Sequence, residues 1–292
     1  MFKGVATALI TPFNSNGVDF DAFARLIESQ IEAGIDALVV LGTTGEPATM
    51  THSERVETIK FAIKQINKRV PVIVGTGCNC TATAVENSIE AENLGADMLL
   101  VVTPYYNKCT QKGLIAHYSS IANAVNIPII AYNVPGRTGG VNIAPSTIKA
   151  LSAIPNIVAV KEASGNMSQI IDVIKATKDT DFSVYSGDDA LILPIMSLGA
   201  DGLISVASNV IPSVMVDLVH SAMKGNYAHT QELFFKYNDL FKALFVETNP
   251  IPVKFACYKL GLCENILRLP LTPLSEEASS VLLDAMYDVK LI

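Results

Sequence analysis

Short apolar runs recur along the chain, rich in β-branched residues and bounded by turn-forming positions. They fall at Val5–Ile10, Ala37–Leu41, Val72–Gly75, Met98–Val102, Ile129–Tyr132, Ile157–Val160, Ser183–Tyr185 and Leu203–Ser205. Runs this short and this continuously apolar read as strands buried on both faces, the pattern of a parallel sheet. Between them the spacing changes to the helical period, as in Asp19–Ala33, Thr51–Lys68, Thr81–Leu94 and Ser168–Thr177.

The joins repeat as well. Ala33-Gly34-Ile35-Asp36-Ala37-Leu38, Leu94-Gly95-Ala96-Asp97-Met98-Leu99 and Leu198-Gly199-Ala200-Asp201-Gly202-Leu203 share one form. Each reads as a helix ending on a glycine, a tight turn, then a buried strand. A second form uses proline to stop the helix and start the strand, at Pro71, Pro128 and Pro155. Eight strands alternating with helices predict an α/β protein, a (β/α)8 TIM barrel, over residues 1–224. The doubly wound alternative is disfavoured, because its nearest dinucleotide fingerprint, Gly75-Thr76-Gly77-Cys78-Asn79-Cys80, lacks the third glycine. Residues 225–292 read as a helical C-terminal segment, with helices at Tyr227–Val246, Pro252–Leu260 and Ser275–Val289. Its apolar face packs on the barrel or on a neighbouring subunit.

Composition narrows the function. The 292 residues carry a net charge of −7 and no basic block, which argues against a nucleic-acid partner. No apolar run approaches the ~18 residues of a membrane span. The amino terminus enters a strand directly and has no signal-peptide pattern, so the expected location is the cytoplasm. The five cysteines are odd in number and scattered, which argues against a disulfide framework, and neither they nor the four histidines have metal-ligand spacing. No metal and no cofactor are expected.

One charge interrupts the apolar strands. Asn156-Ile157-Val158-Ala159-Val160 closes on Lys161-Glu162, which delivers an amine to the rim of a core. Lysine is rarely buried unless something pairs with it, and desolvation disfavours its ammonium form. A neutral amine attacks carbonyl carbon, so Lys161 is a candidate Schiff-base lysine. Alternatively it snorkels to solvent or pairs with Glu162. In a parallel barrel the carboxyl ends of the strands carry the chemistry, so the polar residues there matter. Gly42-Thr43-Thr44-Gly45-Glu46 offers main-chain N–H groups and two hydroxyls to a carboxylate, unless it is an ordinary glycine-rich loop. Tyr132 ends the fifth strand as either a general acid/base or a core tyrosine. Arg137 sits in the loop beyond it, as a bidentate carboxylate binder or a solvated arginine. Gly187 and Ile204 stand where their main chain can line the floor.

Taken in order, Gly42-Thr43-Thr44-Gly45-Glu46, Tyr105-Tyr106-Asn107, Tyr132-Asn133-Val134-Pro135-Gly136-Arg137-Thr138-Gly139, Val160-Lys161-Glu162-Ala163 and Asn249-Pro250-Ile251-Pro252-Val253-Lys254 resemble the dihydrodipicolinate synthase family across the whole chain. The resemblance implies condensation of pyruvate with L-aspartate 4-semialdehyde to 4-hydroxy-tetrahydrodipicolinate, the first committed step of the diaminopimelate and lysine pathway. It assigns Lys161 to the imine, and Thr43, Tyr132 and Tyr106 to a proton relay in which Tyr106 enters a neighbouring subunit. It gives Thr43 and Thr44 to the pyruvate carboxylate, Arg137 to the semialdehyde carboxylate, and Gly187 and Ile204 to the pocket lining. It implies a homo-oligomer, a tetramer built as a dimer of dimers. The rival within the same superfamily is a sugar-acid lyase such as N-acetylneuraminate lyase, which shares the lysine and tyrosine but lacks the arginine. A non-catalytic keto-acid-binding barrel is the rival of another class.

The resemblance to the family's lysine-effector site is partial: Ala48, His52, Asn79 and Tyr105 fit it. Pro47, Arg55 and Thr83 replace the serine, histidine and glutamate usual in lysine-sensitive members, and Arg55 adds a charge of the same sign as lysine's ammonium. The expected outcome is little or no inhibition by lysine. Micromolar lysine that inhibits the purified enzyme in a steady-state assay would refute it.

Overall fold

The computed structural model describes residues 1–292. Its barrel strands are β1 (Gly4–Ala8), β2 (Ala37–Val40), β3 (Val72–Gly75), β4 (Met98–Val102), β5 (Ile129–Asn133), β6 (Ile157–Glu162), β7 (Ser183–Ser186) and β8 (Gly202–Ser205). They close in the order β1-β8-β7-β6-β5-β4-β3-β2. The registered pairings among them are parallel. The chain is therefore a (β/α)8 barrel with a helical C-terminal segment.

The helices between and after the strands are α1 (Phe20–Glu32), α2 (His52–Ile66), α3 (Thr81–Leu94), α4 (Gln111–Ala122), α5 (Pro145–Leu151), α6 (Met167–Thr177), α7 (Ile192–Ser197), α8 (Pro212–Met223), α9 (Tyr227–Ala243), α10 (Ile251–Lys259) and α11 (Glu276–Asp288). Side-chain caps start many of them. Thr51 and Glu54 form a capping box at α2, and Asp19, Thr110, Asn166 and Ser275 cap α1, α4, α6 and α11. No helix is long and apolar enough to cross a membrane. The five cysteines are free thiols.

Packing divides the chain into two compact units, one of residues 1–3 and 71–204, the other of residues 4–70 and 205–292. In the first, helices α3 to α6 pack in sequence order, each against the next. In the second, α1 lies on α2, α9 on α8, and α11 on α9 and α10.

Several elements differ from the apolar pattern. Strand β1 stops at Ala8, two residues before its apolar run ends. Strand β6 continues to Glu162, so Lys161 lies inside the strand, in register with Tyr132 on β5 and Tyr185 on β7. A hairpin of two-residue strands, Phe13–Asn14 with Gly17–Val18, precedes α1. Strands so short leave no readable alternation.

The repeated Gly-x-Asp joins have one physical job. The main-chain N–H of Asp36 donates to Val5 O at 2.9 Å, and its carboxylate accepts from Val5 N at 2.8 Å. Asp97 holds Val72 in the same way at 3.0 and 2.8 Å, and Asp201 holds Val184 at 2.9 and 3.2 Å. Each aspartate thus ties the start of its own strand to the start of the preceding one, at the amino ends where a barrel carries stability rather than chemistry. The Asp36 carboxylate occupies the space a side chain would take at residue 4, and Gly4 has φ +113°, so only glycine fits there. Asp97→Ala is expected to cost about 1 kcal/mol, one charge-assisted bond at a partly exposed site. A lower urea midpoint at unchanged m value checks it.

Candidate active site

Alternation along β5 and β6 sorts the functional side chains. Successive residues of a strand point to opposite faces. Tyr132 and Lys161 are register partners and share one face, while Asn133 and Glu162, the next pair, take the other. Lys161 is only 5% exposed, and its Nζ lies 4.4 Å from the centre of the Tyr132 ring.

Glu162 is not the partner of Lys161. Its buried carboxylate accepts from Asn133 Nδ2 at 3.0 and 3.2 Å, from the main-chain N–H of Ser164 at 2.8 Å and from Gln169 Nε2 at 3.4 Å. Asn142 completes the network, accepting from Asn133 at 2.8 Å and donating to Gln169 at 2.6 Å. Four N–H contacts satisfy a carboxylate without a cation, as burial requires. The network ties the ends of β5 and β6 to α6, which fixes the two strands that carry Tyr132 and Lys161.

The space beside the lysine comes from a missing side chain. A Cβ on Gly187, just past β7, would meet Lys161 Cε at 2.9 Å and Ala163 Cβ at 2.8 Å. The Gly187 N–H donates to Glu162 O at 2.8 Å, which holds the main chain at that close approach. Ile204, on β8, is fully buried. Arg137 is exposed in the turn after β5, where its N–H donates to Val134 O at 2.9 Å. Tyr106 is 85% exposed and has φ +76°, a left-handed backbone that non-glycine residues rarely adopt.

Two other tyrosines belong to the core. Tyr185, the register partner of Lys161 on β7, donates to Phe2 O at 2.6 Å and stacks on the Phe2 ring. Tyr118 donates to Val101 O at 2.9 Å. Burial pushes both phenols well above their ordinary value, so neither exchanges a proton near neutrality.

In the other unit, the Gly-Thr-Thr-Gly-Glu loop forms a 3-10 turn over Thr43–Gly45 at the carboxyl end of β2. Thr44 is buried and Thr43 half-buried. Leu41 and Glu46 bracket the turn at φ +55° and +57°. Thr11 Oγ1 donates to Gly45 O at 2.7 Å, and Asn249 Nδ2 donates to Thr44 Oγ1 at 3.1 Å. Glu46 pairs with Lys254 on α10 at 2.6 Å, both side chains buried. Asn249, Lys254 and Glu46 were readable only as members of motifs. The missed signal was Lys254 itself, a charge inside Ile251-Pro252-Val253-Lys254-Phe255-Ala256-Cys257, the same interruption that singles out Lys161. Ala48, His52, Asn79 and Tyr105 are all exposed, Ala48 just before α2, His52 its first residue, and the others in the loops after β3 and β4.

A parallel barrel with a buried amine at the carboxyl end of its sixth strand, under a tyrosine ring, is the arrangement of a Schiff-base-forming lyase. A model of the dihydrodipicolinate synthetase family matches residues 1–287. The 4-hydroxy-tetrahydrodipicolinate synthase of Alkaliphilus oremlandii (strain OhILAs) is 50% identical over 292 residues, covering 100% of both chains. The crystal structure of dihydrodipicolinate synthase from Aquifex aeolicus has a TM-score of 0.96 at 47% identity over 99% of each chain. That of the chloride-inhibited enzyme from Acinetobacter baumannii, complexed with pyruvate, has a TM-score of 0.97 at 43% identity over 100% of each chain. The chain belongs to the dihydrodipicolinate synthetase family.

Gly187→Ala is expected to displace the lysine amine and slow imine formation by about 10²-fold, the usual effect of misplacing a reacting group by ~1 Å. Single-turnover borohydride trapping with pyruvate measures it.

Proposed function

We propose that Lys161 forms the imine in the condensation of pyruvate with L-aspartate 4-semialdehyde to 4-hydroxy-tetrahydrodipicolinate, the first committed step of the diaminopimelate and lysine pathway. The observation that carries this reading is the buried Lys161 amine beside the Tyr132 ring, cleared by Gly187. Its neighbour Glu162 is fully engaged elsewhere, so the amine is left for chemistry.

Lys161 Nζ attacks pyruvate C2, and loss of water leaves an imine. A proton leaves C3 to give the enamine, which attacks the aldehyde carbon of the semialdehyde. The substrate's own amine then displaces lysine at C2, closing the ring and releasing Lys161. Tyr132, Thr43 and Tyr106 move the protons; the position of Tyr132 beside the amine suits a general acid/base at C2. Thr43 and Thr44 hold the pyruvate carboxylate through hydroxyl and main-chain N–H donors. Arg137 binds the semialdehyde carboxylate with its bidentate fork, and its exposed turn beyond β5 leaves the guanidinium free to do so. Gly187 and Ile204 line the pocket. No metal or cofactor takes part.

Residues 1–224 serve as the catalytic barrel and 225–292 as its helical appendage, and the enzyme works in the cytoplasm. The exposure of Tyr106 supports a homo-oligomer in which that ring reaches a second copy, assembled as a tetramer of two dimers. Ala48, His52, Asn79 and Tyr105 make up a degenerate effector site that binds lysine poorly.

Borohydride trapping with pyruvate and peptide mass spectrometry test the chemistry. Wild type is expected to carry the adduct on Lys161, and Lys161→Ala to carry none while melting normally. Arg137→Ala is expected to keep the adduct but to raise KM for aspartate semialdehyde at least about tenfold, the loss of a charged contact. A normal KM would remove the assignment of Arg137 to the second substrate.

A further inference from the structure

The loop that carries Thr43 and Thr44 is held in a left-handed turn at each end, by Leu41 and Glu46. Such backbone persists only where its surroundings over-determine it. Besides Thr11, they include residues more than 200 positions away in the chain. Lys254 has no exposed surface; it donates to Glu46 Oε1 at 2.6 Å and to Ile266 O at 2.8 Å, and its Nζ lies 4.1 Å from the centre of the Phe13 ring. The Arg268 guanidinium lies 4.2 Å from the centre of the same ring and bonds Glu54, the capping residue of α2, at 2.9 Å. Glu46 Oε2 also accepts from the Arg268 N–H at 3.4 Å. Asn249, 5% exposed, gives its Nδ2 to Thr44, and its Oδ1 has no partner.

Two consequences follow for a carboxylate arriving at this loop. A hydroxyl oxygen that accepts from an amide keeps its own proton for another acceptor, so Asn249 makes Thr44 a donor. Lys254 neutralises Glu46, which otherwise places an anion two residues from an anion's binding site. Burial lowers the pKa of Lys254 and the Glu46 charge opposes that drop, so the ammonium depends on the carboxylate.

We propose that Asn249 and Lys254 are positioning residues for pyruvate: Asn249 directs the Thr44 hydroxyl toward the substrate carboxylate, and Lys254, through Glu46, sets and neutralises the loop that presents it. The proposal rests on the reading that Thr44 binds that carboxylate.

Three variants test it: Thr44→Val, Asn249→Ala, and the double variant Glu46→Gln with Lys254→Met. The double variant removes the pair together and strands no buried charge. The readouts are KM for pyruvate, KM for aspartate semialdehyde, kcat, the melting curve, and the Lys161 adduct trapped at saturating pyruvate. All three are expected to raise KM for pyruvate about tenfold or more, the worth of one directed hydrogen bond to a charge. In Asn249→Ala and the double variant, kcat and KM for aspartate semialdehyde stay within about threefold and the adduct still forms, the pattern of lost substrate binding. A raised KM in Thr44→Val with a wild-type KM in the other two overturns the positioning role and leaves the carboxylate reading intact. A wild-type KM in Thr44→Val overturns both. Should the double variant fail to fold, Asn249→Ala decides alone by the same criterion.

Discussion

The two-residue period of a strand governs this site. Along β6 it turns Lys161 to one face and Glu162 to the other, although the two are neighbours in the chain. Along β5 it does the same for Tyr132 and Asn133, and the register brings like to like. One face thus collects an amine and a phenol, and the other a carboxylate and amides that satisfy each other. A slip of one residue in that register would pair Lys161 with Asn133 and leave a buried carboxylate without its donors. The polar network on the outer face is therefore what pins the reactive face.

The protein buries two lysines in contrasting surroundings. Lys254 meets a carboxylate at 2.6 Å and a carbonyl at 2.8 Å, so its donors are spent on structure. Lys161 lies over the face of the Tyr132 ring and beside Gly187. The same residue type in the same apolar setting is bound by acceptors in one place and lies over a ring in the other. The partner, not the burial, makes the difference. The Lys161 stem fits where it does because residue 187 carries no side chain.

The two ends of the barrel divide the labour. At the amino ends of the strands, Asp36, Asp97 and Asp201 each close a short bridge with carboxylate and main chain, a local device that repeats because the backbone geometry repeats. At the carboxyl ends nothing repeats. Thr44, Tyr132, Lys161 and Gly187 come from four different strand ends, and each loop has its own conformation. A regular frame with irregular loops is how this fold separates stability from chemistry.

Strand number, helix alternation and the exceptional lysine were all legible along the chain, because burial on both faces of a strand and the misplacement of a charge are local properties. So was the family, because its motifs are contiguous. The aspartates were visible as a rhythm but not as a mechanism, since the bond each makes is to a strand 17 to 31 residues earlier. Glu162 could be read as a partner for Lys161 until the pleat placed it on the other face. The need for glycine at 187 and the role of Lys254 were invisible, because each depends on atoms brought close by folding: a lysine stem packed against residue 187, and a carboxylate 208 residues away from Lys254. The amino-acid sequence by itself determined the barrel and nominated the nucleophile. Tertiary structure alone decided which buried lysine is tied up in hydrogen bonds, because that depends on which acceptors the fold brings within hydrogen-bonding distance.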